Sequence, residues 1–393
     1  MVFEVRRTAA DTIFGEPDRH QPMVRVEPSA TSLLISWPQN TLVSQLTNWQ
    51  SGLRLLNRSG DDWVDTSVYQ HTWLDLFTGW ENEVTDWLGT IPIDLLSITS
   101  HFGHYRLPLL QLASRYSEVS DLLRSTPALM IIWFDYCKDH QYSEAQLAEG
   151  VCQSQRDLLR SMRMLDRKST IKMLRKVSLS RLNRHDCQRL RKVGRSEIIL
   201  NKLFHVQHIN EKYLSLVTRM PLFAGSRLLW VLSQEINDPC QRSGISSLIE
   251  DCIRMEGDVA LDRLLKLNSL EAVTRYHNRL VDRFNRYYVG ASVNGNVNFP
   301  DPPFDKYDSI SPITTSKMLR DLGVDMRHCI GSYVDRVLDG EYYVYQMNLP
   351  EMVTIGFKRD RNGRFQLDEI KAYGNQAPSS AARKIVDDWV SRL

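Results

Sequence analysis

The chain opens with short runs in which apolar and polar residues alternate: Val2-Phe3-Glu4-Val5, Met23-Val24-Arg25-Val26 and Leu33-Leu34-Ile35-Ser36-Trp37. A period of two places one side of a strand on a core and the other in water. Turn formers such as Gly15-Glu16-Pro17-Asp18 separate the runs, so residues 1–60 are expected to form a small sheet. From about residue 105 to 290 the period becomes helical, with Leu109, Leu112, Ala113 and Tyr116 on one face and Leu261, Leu264 and Leu265 on another. Pro108 suits a first helical turn, where its missing N–H is no loss. Pro127, Pro221, Pro239, Gly194 and Gly225 punctuate the region. No fixed repeat period is present, so a bundle or a solenoid-like array of short helices is expected.

Residues 291–313 break both periods. Pro300, Pro302 and Pro303, with Ser311-Pro312 beyond them, favour an extended linker. After it the pattern predicts a helix at 316–322 capped by Thr314 or Thr315, and a second at 331–338 stopped by Asp339-Gly340. Strands follow at 342–347, 352–357 and 365–370. Asp360-Arg361-Asn362-Gly363-Arg364 turns the last two into a hairpin, because Asn-Gly supplies positive φ. A helix at 380–389 closes the chain on Ala382, Ile385, Val386 and Trp389. The predicted class is α+β: a Trp-rich, β-containing domain at 1–100, a helical domain at 101–290, the linker, and a compact α+β domain at 314–393 with a three-stranded antiparallel sheet.

At 393 residues, two or three domains are expected. With 42% apolar and 24% charged residues the composition is that of a folded globular protein. The run Leu129-Met130-Ile131-Ile132-Trp133-Phe134 is too short to span a bilayer, and the N-terminus lacks the apolar core of a secretory signal. A cytoplasmic location without membrane contact is the expectation. Tryptophans 49, 63, 73, 80 and 87 either stack on bases or build a core between sheet and helices, and their irregular spacing defines no groove.

Charge changes this picture. The net charge is only +2, yet residues 156–195 hold 14 Lys/Arg against three Asp, which leaves the remainder near −9. Arg156, Arg160, Arg163 and Arg167 recur at three and four residues, as one stripe on a helix. Lys172, Arg175, Lys176, Arg181, Arg184, Arg191 and Lys192 continue it. Such a stripe suits a phosphate backbone; a solvated basic face, or one that meets the acidic remainder, is the other reading.

Candidate chemistry concentrates in Met326-Arg327-His328-Cys329-Ile330-Gly331-Ser332-Tyr333. A thiol at a helix entrance has its thiolate favoured by the helix dipole. Tyr333 shares the face of Cys329 at i+4, and Glu369 comes from a later strand. These four support a nucleophilic cysteine, or acid–base work through His328. Equally, Cys329 is buried while His328 and Tyr333 bond to backbone. The six cysteines, at 137, 152, 187, 240, 252 and 329, form no CxxC pair. His101 and His104, like His205 and His208, lack a matching carboxylate or thiol cluster. No metal site is therefore expected, and no cofactor is specified.

The C-terminal part resembles the PcfJ-like protein family. The resembling residues are Pro300-x-Pro302-Pro303, then Leu319, Gly323, Met326, His328-Cys329-Ile330 and Tyr333, then Val337 and Gly340. Tyr343, Tyr345, Thr354, Gly374-Asn375 and Trp389 complete them. The likeness covers 300–393, and more weakly the stretch from Ser269-Leu270-Glu271 to His277-Asn278. Two places depart from the family pattern: Gly356 stands where many members carry an acidic residue, and many members carry a glutamine near the position of Glu369. The resemblance implies a link to conjugative plasmids, other mobile elements or phage conflict. It raises the expectation of a nucleic-acid partner, DNA or RNA, and of protein partners from a mobile element or defence system. An enzyme acting on nucleic acid or a nucleotide, and a protein-interaction scaffold, are the alternatives.

Overall fold

A computed structural model describes residues 3–6, 23–29, 31–37, 42–66, 69, 85–180, 182–236, 239–290, 296–360 and 362–393. The chain divides into two compact units, 1–234 and 235–393.

In the first unit, strands β1 (Phe3–Arg6), β2 (Met23–Pro28), β3 (Ser32–Trp37), β4 (Leu42–Thr47), β5 (Leu55–Ser59) and β6 (Asp62–Asp65) pair in sequence order as one six-stranded antiparallel sheet. The alternation sets its faces: Leu33 and Ile35 are buried and stand opposite Leu46 and Ser44. Of the tryptophans, Trp87 is buried and donates from Nε1 to the Thr47 carbonyl at 3.2 Å, Trp49 is half-buried and Trp63 is exposed. Trp73 and Trp80 lie outside the described residues. Helices α1 (Arg106–Arg115), α2 (Ser117–Ser125) and α3 (Pro127–Asp139) follow; Pro108 lies in the first turn of α1 as expected, and Pro127 opens α3. The apolar run 129–134 lies within α3 and is buried throughout, which makes α3 the core helix of this unit. No helix among the described residues is long and apolar enough to cross a membrane.

Further along this unit, α4 (Gln155–Ser161), α5 (Lys168–Leu174) and α6 (Arg184–Gly194) carry the basic segment.

The second unit begins with α7 (Pro239–Glu256), α8 (Asp258–Leu264) and α9 (Leu270–Gly290). Strand β7 (Ile310–Pro312), α10 (Ser316–Met326), a 3₁₀ turn at Cys329–Tyr333 and α11 (Val334–Leu338) follow. Strands β8 (Tyr342–Met347), β9 (Val353–Arg359) and β10 (Phe365–Lys371) and the final α12 (Ser380–Val390) complete it. The sheet is antiparallel in the order β10-β9-β8-β7, so it has four strands and not the expected three. The added strand is the end of the stretch expected to be linker. Three residues ending in proline carry no readable alternation, and a proline without N–H belongs on an edge. The described part of that stretch lies along the sheet. Phe299 is buried and donates to the Thr314 carbonyl at 2.9 Å, Tyr343 donates to the Pro300 carbonyl at 3.2 Å, and Tyr345 donates to that of Phe304 at 2.7 Å.

Both faces of this sheet are covered, which is why β8 and β9 read as nearly unbroken apolar runs. On one face Trp389 of α12 meets Phe304, Tyr345 and Phe357 at ring separations of 5.1–6.3 Å. On the other, Tyr342 packs against Tyr333 at 5.0 Å. Gly356 of β9 stands opposite Glu369 of β10, beside a bulge between Leu367 and Glu369. A Cβ at Gly356 would lie 1.9 Å from the Tyr342 hydroxyl. Glycine at this position therefore makes room for the tyrosine ring. Gly356→Ala is expected to displace Tyr342 and destabilise the unit by roughly 1–3 kcal/mol, measured as a lower melting temperature and lower denaturant midpoint than wild type.

Candidate functional site

The His-Cys motif is placed by a sharp reversal after α10. Thr315 caps that helix, its hydroxyl accepting from the Met318 N–H at 3.2 Å. Arg327 ends it in the left-handed region at φ 50°, and the His328 N–H returns to the Gly323 carbonyl at 2.9 Å. A Cβ on Gly323 would come within 2.9 Å of the Gly331 nitrogen, so only glycine lets helix and turn approach this closely. The reversal sends neighbouring side chains apart. His328 is buried and its Nε2–H donates to the Ala372 carbonyl at 2.7 Å. Burial lowers the affinity of this ring for a second proton. Cys329 and Tyr333, four residues apart, point the other way onto a shared partner.

That partner is Asp251 of α7. Its Oδ2 accepts from the Cys329 thiol at 3.0 Å, and its Oδ1 from the Tyr333 hydroxyl at 3.0 Å. Arg254, one turn along α7, donates to Oδ1 at 2.6 Å and to the Ser332 hydroxyl at 3.3 Å, with its guanidinium 4.2 Å from the Tyr333 ring centroid. Arg336 lies over the rings of both Tyr333 and Tyr342, at 4.8 and 4.6 Å. His277 of α9 brings Nε2 to 3.7 Å from Asp251 Oδ2. Asp251, His277, Cys329 and Tyr333 are all buried.

Electrostatics follow from this arrangement. Burial alone would raise the Asp251 pKa, but the contacts from His277, Arg254 and Cys329 outweigh it and hold the carboxyl down to about 2. Burial, and then the Asp251 charge, push the Cys329 thiol and the Tyr333 phenol well above their ordinary values. Cys329 is thus a neutral donor to a carboxylate. The thiolate expected from the helix dipole is not favoured, because a fixed negative charge at 3.0 Å opposes it. Glu369 is half-buried with an enclosed carboxyl. Burial, opposed by Lys371 and reinforced by Asp251 and Asp368, moves its pKa up to about 7.

Sequence reasoning found Cys329 and Tyr333 but missed Asp251, Arg254 and His277. The ends of this network lie up to 82 positions apart, on helices whose pattern shows only apolar periodicity. The one available signal was the weaker likeness across 269–278, which contains His277.

The basic segment differs from a single stripe. Helix α4 stops at Ser161, Arg163 takes a left-handed φ of 55°, and Arg167 precedes α5 as its cap. Many of its cations are already paired. Arg160 meets Asp157 and Asp166, Arg167 meets Glu197, and Arg184 meets Asp139. Arg191 is buried against Asp135 and Asp139. Arg175 donates to the Thr126 hydroxyl at 3.3 Å and Lys176 to the Phe204 carbonyl at 2.7 Å. Lys172 stands over the Phe204 ring. Arg156, Arg163, Lys172 and Lys192 are exposed and form no salt bridge among the described residues, although Arg156 lies near enough to Asp166 to favour its charge. Arg181 lies outside the described residues.

A second cationic surface lies on the C-terminal unit. A cleft of about 600 Å³ runs along α9, lined by Arg263, Lys266, Tyr276, Arg279, Arg283 and Arg286, with Asp282 the acidic member. Glu256 binds Tyr276, Arg263 and Arg283. Lys266, Arg279 and Arg286 have no carboxylate partner among the described residues. The cleft is continued by a hollow at Asn285, Val324 and Arg327.

An α+β head clamped from beneath by a buried carboxylate is the class this site defines. Residues 305–386 match a family described as PcfJ-like protein, so the C-terminal region carries a PcfJ-like domain. The matched span holds Cys329, Tyr333 and Glu369 but not Asp251, Arg254 or His277. No curated protein and no solved structure matches the chain.

Glu369 supplies a pH dependence. Its folded pKa is raised, so the fold prefers the neutral acid. The unfolded chain ionises near pH 4.5 and the folded one only near 7, so stability falls as pH rises across that window. Each pKa unit is worth about 1.4 kcal/mol. Glu369→Gln is expected to raise the melting temperature at pH 8 and to change it little at pH 4.5, which thermal unfolding at both values checks.

Proposed function

We propose that the protein binds nucleic acid in the service of a mobile genetic element, gripping the phosphate backbone along the α9 cleft with its PcfJ-like domain as a rigid head. The observation that carries this reading is the set Lys266, Arg279 and Arg286, three exposed cations of one cleft without carboxylate partners among the described residues. Cations that are not neutralised internally are free to release counterions from a polyanion. The basic segment contributes in the same sense through Arg156, Arg163, Lys172 and Lys192. Its other arginines are held by carboxylates of their own unit, where an exposed pair adds about 0–1 kcal/mol of stability and offers less charge to a ligand.

Catalysis by Cys329 is the weaker reading, because the thiol is buried, neutral and occupied by Asp251. The resemblance to proteins of conjugative elements supports the setting, and protein partners from such an element fit a scaffold reading equally.

Fluorescence anisotropy with labelled DNA and RNA oligonucleotides, read across a salt series, tests the proposal. Lys266→Ala, Arg279→Ala and Arg286→Ala together are expected to weaken binding and to lower the slope of log K against log salt by about 2–3. Affinity and slope unchanged in the triple variant would remove the cleft from the function. Loss of binding only when Arg156, Arg163, Lys172 and Lys192 are replaced would assign it to the basic segment.

A further inference from the structure

We propose that Asp251, His277 and Cys329 form a buried site for a divalent transition-metal ion, with zinc the ion best suited to its donors. The inference is independent of nucleic-acid binding. One ligand atom from each residue lies within 4.8 Å of the others, and α7, α9 and the 3₁₀ turn after α10 each supply one. This is the cluster of His, Cys and acidic side chains with metal-binding spacing found among the described residues. A carboxylate, an imidazole and a thiol together match the borderline softness of zinc.

The second observation is the state of His277. The residue is 1% exposed, and its Nε2 is buried without a hydrogen-bond partner. Its Nδ1 lies 3.2 Å from the Asn278 side-chain oxygen. An amide oxygen only accepts, so Nδ1 donates there, and Nε2 is the ring nitrogen turned toward Asp251. Nε2 is 3.7 Å from Asp251 Oδ2, too far for a hydrogen bond. Nε2 and Oδ2 therefore face each other in a buried site without a hydrogen bond between them, and a cation held between them would engage both. The bond from Nδ1 is the orienting contact that metal-bound histidines usually have.

The spacing suits the ion. Zinc held at about 2.0–2.3 Å from each donor keeps its ligands roughly 3–4 Å apart. The thiol is 3.0 Å from Oδ2 and the imidazole 3.7 Å. On binding, the S–H bond of Cys329 breaks, the sulfur electron pair goes to the metal, and the proton leaves to solvent. Asp251 ligates through Oδ2 alone, because Oδ1 stays with Arg254 and Tyr333. Three protein donors leave one position for water or another small ligand.

The full chain, purified without chelator from zinc-supplemented cells, tests the site. Elemental analysis is expected to give about one zinc per chain, with a melting temperature that falls on chelation and recovers when zinc is returned. Cobalt(II) added to the stripped chain should give a thiolate-to-cobalt charge-transfer band. Cys329→Ser should abolish that band, and His277→Gln should lower zinc to background. Either variant could fail to fold, so the wild-type chain and Cys152→Ser, which alters an exposed cysteine, decide in that case. A band retained in Cys152→Ser supports the site. No zinc and no band in the wild-type chain, a band lost with Cys152, or full zinc content in the folded Cys329→Ser/His277→Gln double variant overturns it.

Discussion

The C-terminal unit depends on one buried carboxylate. Asp251 takes a thiol on one oxygen and a phenol and a guanidinium on the other, from two separate stretches of chain. Leaving a buried charge without its partners costs about 3–5 kcal/mol, so the four groups are stable only together. The His-Cys-x-x-x-Tyr motif follows from this need. Cysteine and tyrosine are spaced to reach two oxygens of a single acid, while the adjacent histidine turns away to hold the Ala372 carbonyl at the end of β10. One short turn thus joins α7 on one side and the sheet on the other.

The first unit reaches a similar solution by other residues. Asp135 of the core helix α3 accepts from the Tyr105 hydroxyl at 3.1 Å and pairs with Arg191, with Cys187 beside the same tyrosine. In both units a buried aspartate is held by an arginine and a tyrosine; in the first both come from distant positions, while in the second Arg254 lies one turn along the same helix and only Tyr333 is distant. In the first unit this draws Arg191, and with it part of the basic segment, inward. In the second the arginine is spent on the latch, and the cations of α9 remain on the surface.

Much of the architecture was legible because it rests on local periodicity. The N-terminal alternation, the helical middle, the three longer C-terminal strands and the terminal helix with Ala382, Val386 and Trp389 all express a period in their own residues. What stayed hidden was non-local. Strand β7 is too short to show alternation. The stripe from Arg156 to Arg167 looked continuous because spacing cannot reveal the left-handed turn at Arg163. The carboxylate that explains Cys329 sits 78 positions away, in a helix whose sequence marks it only as helix. Nothing in the spacing of Asp251, His277 and Cys329 announces that they meet.

The latch also separates two kinds of unit that are easily equated. The span that carries the family likeness begins at residue 305, but the acceptor for its Cys329 and Tyr333 lies on α7. Transplanted alone, that span would carry two buried donors and no acid to receive them. The matched span and the folded unit therefore have different borders in this chain: residues 305–386 hold the two donors, and the acid that receives them lies outside that span, on α7.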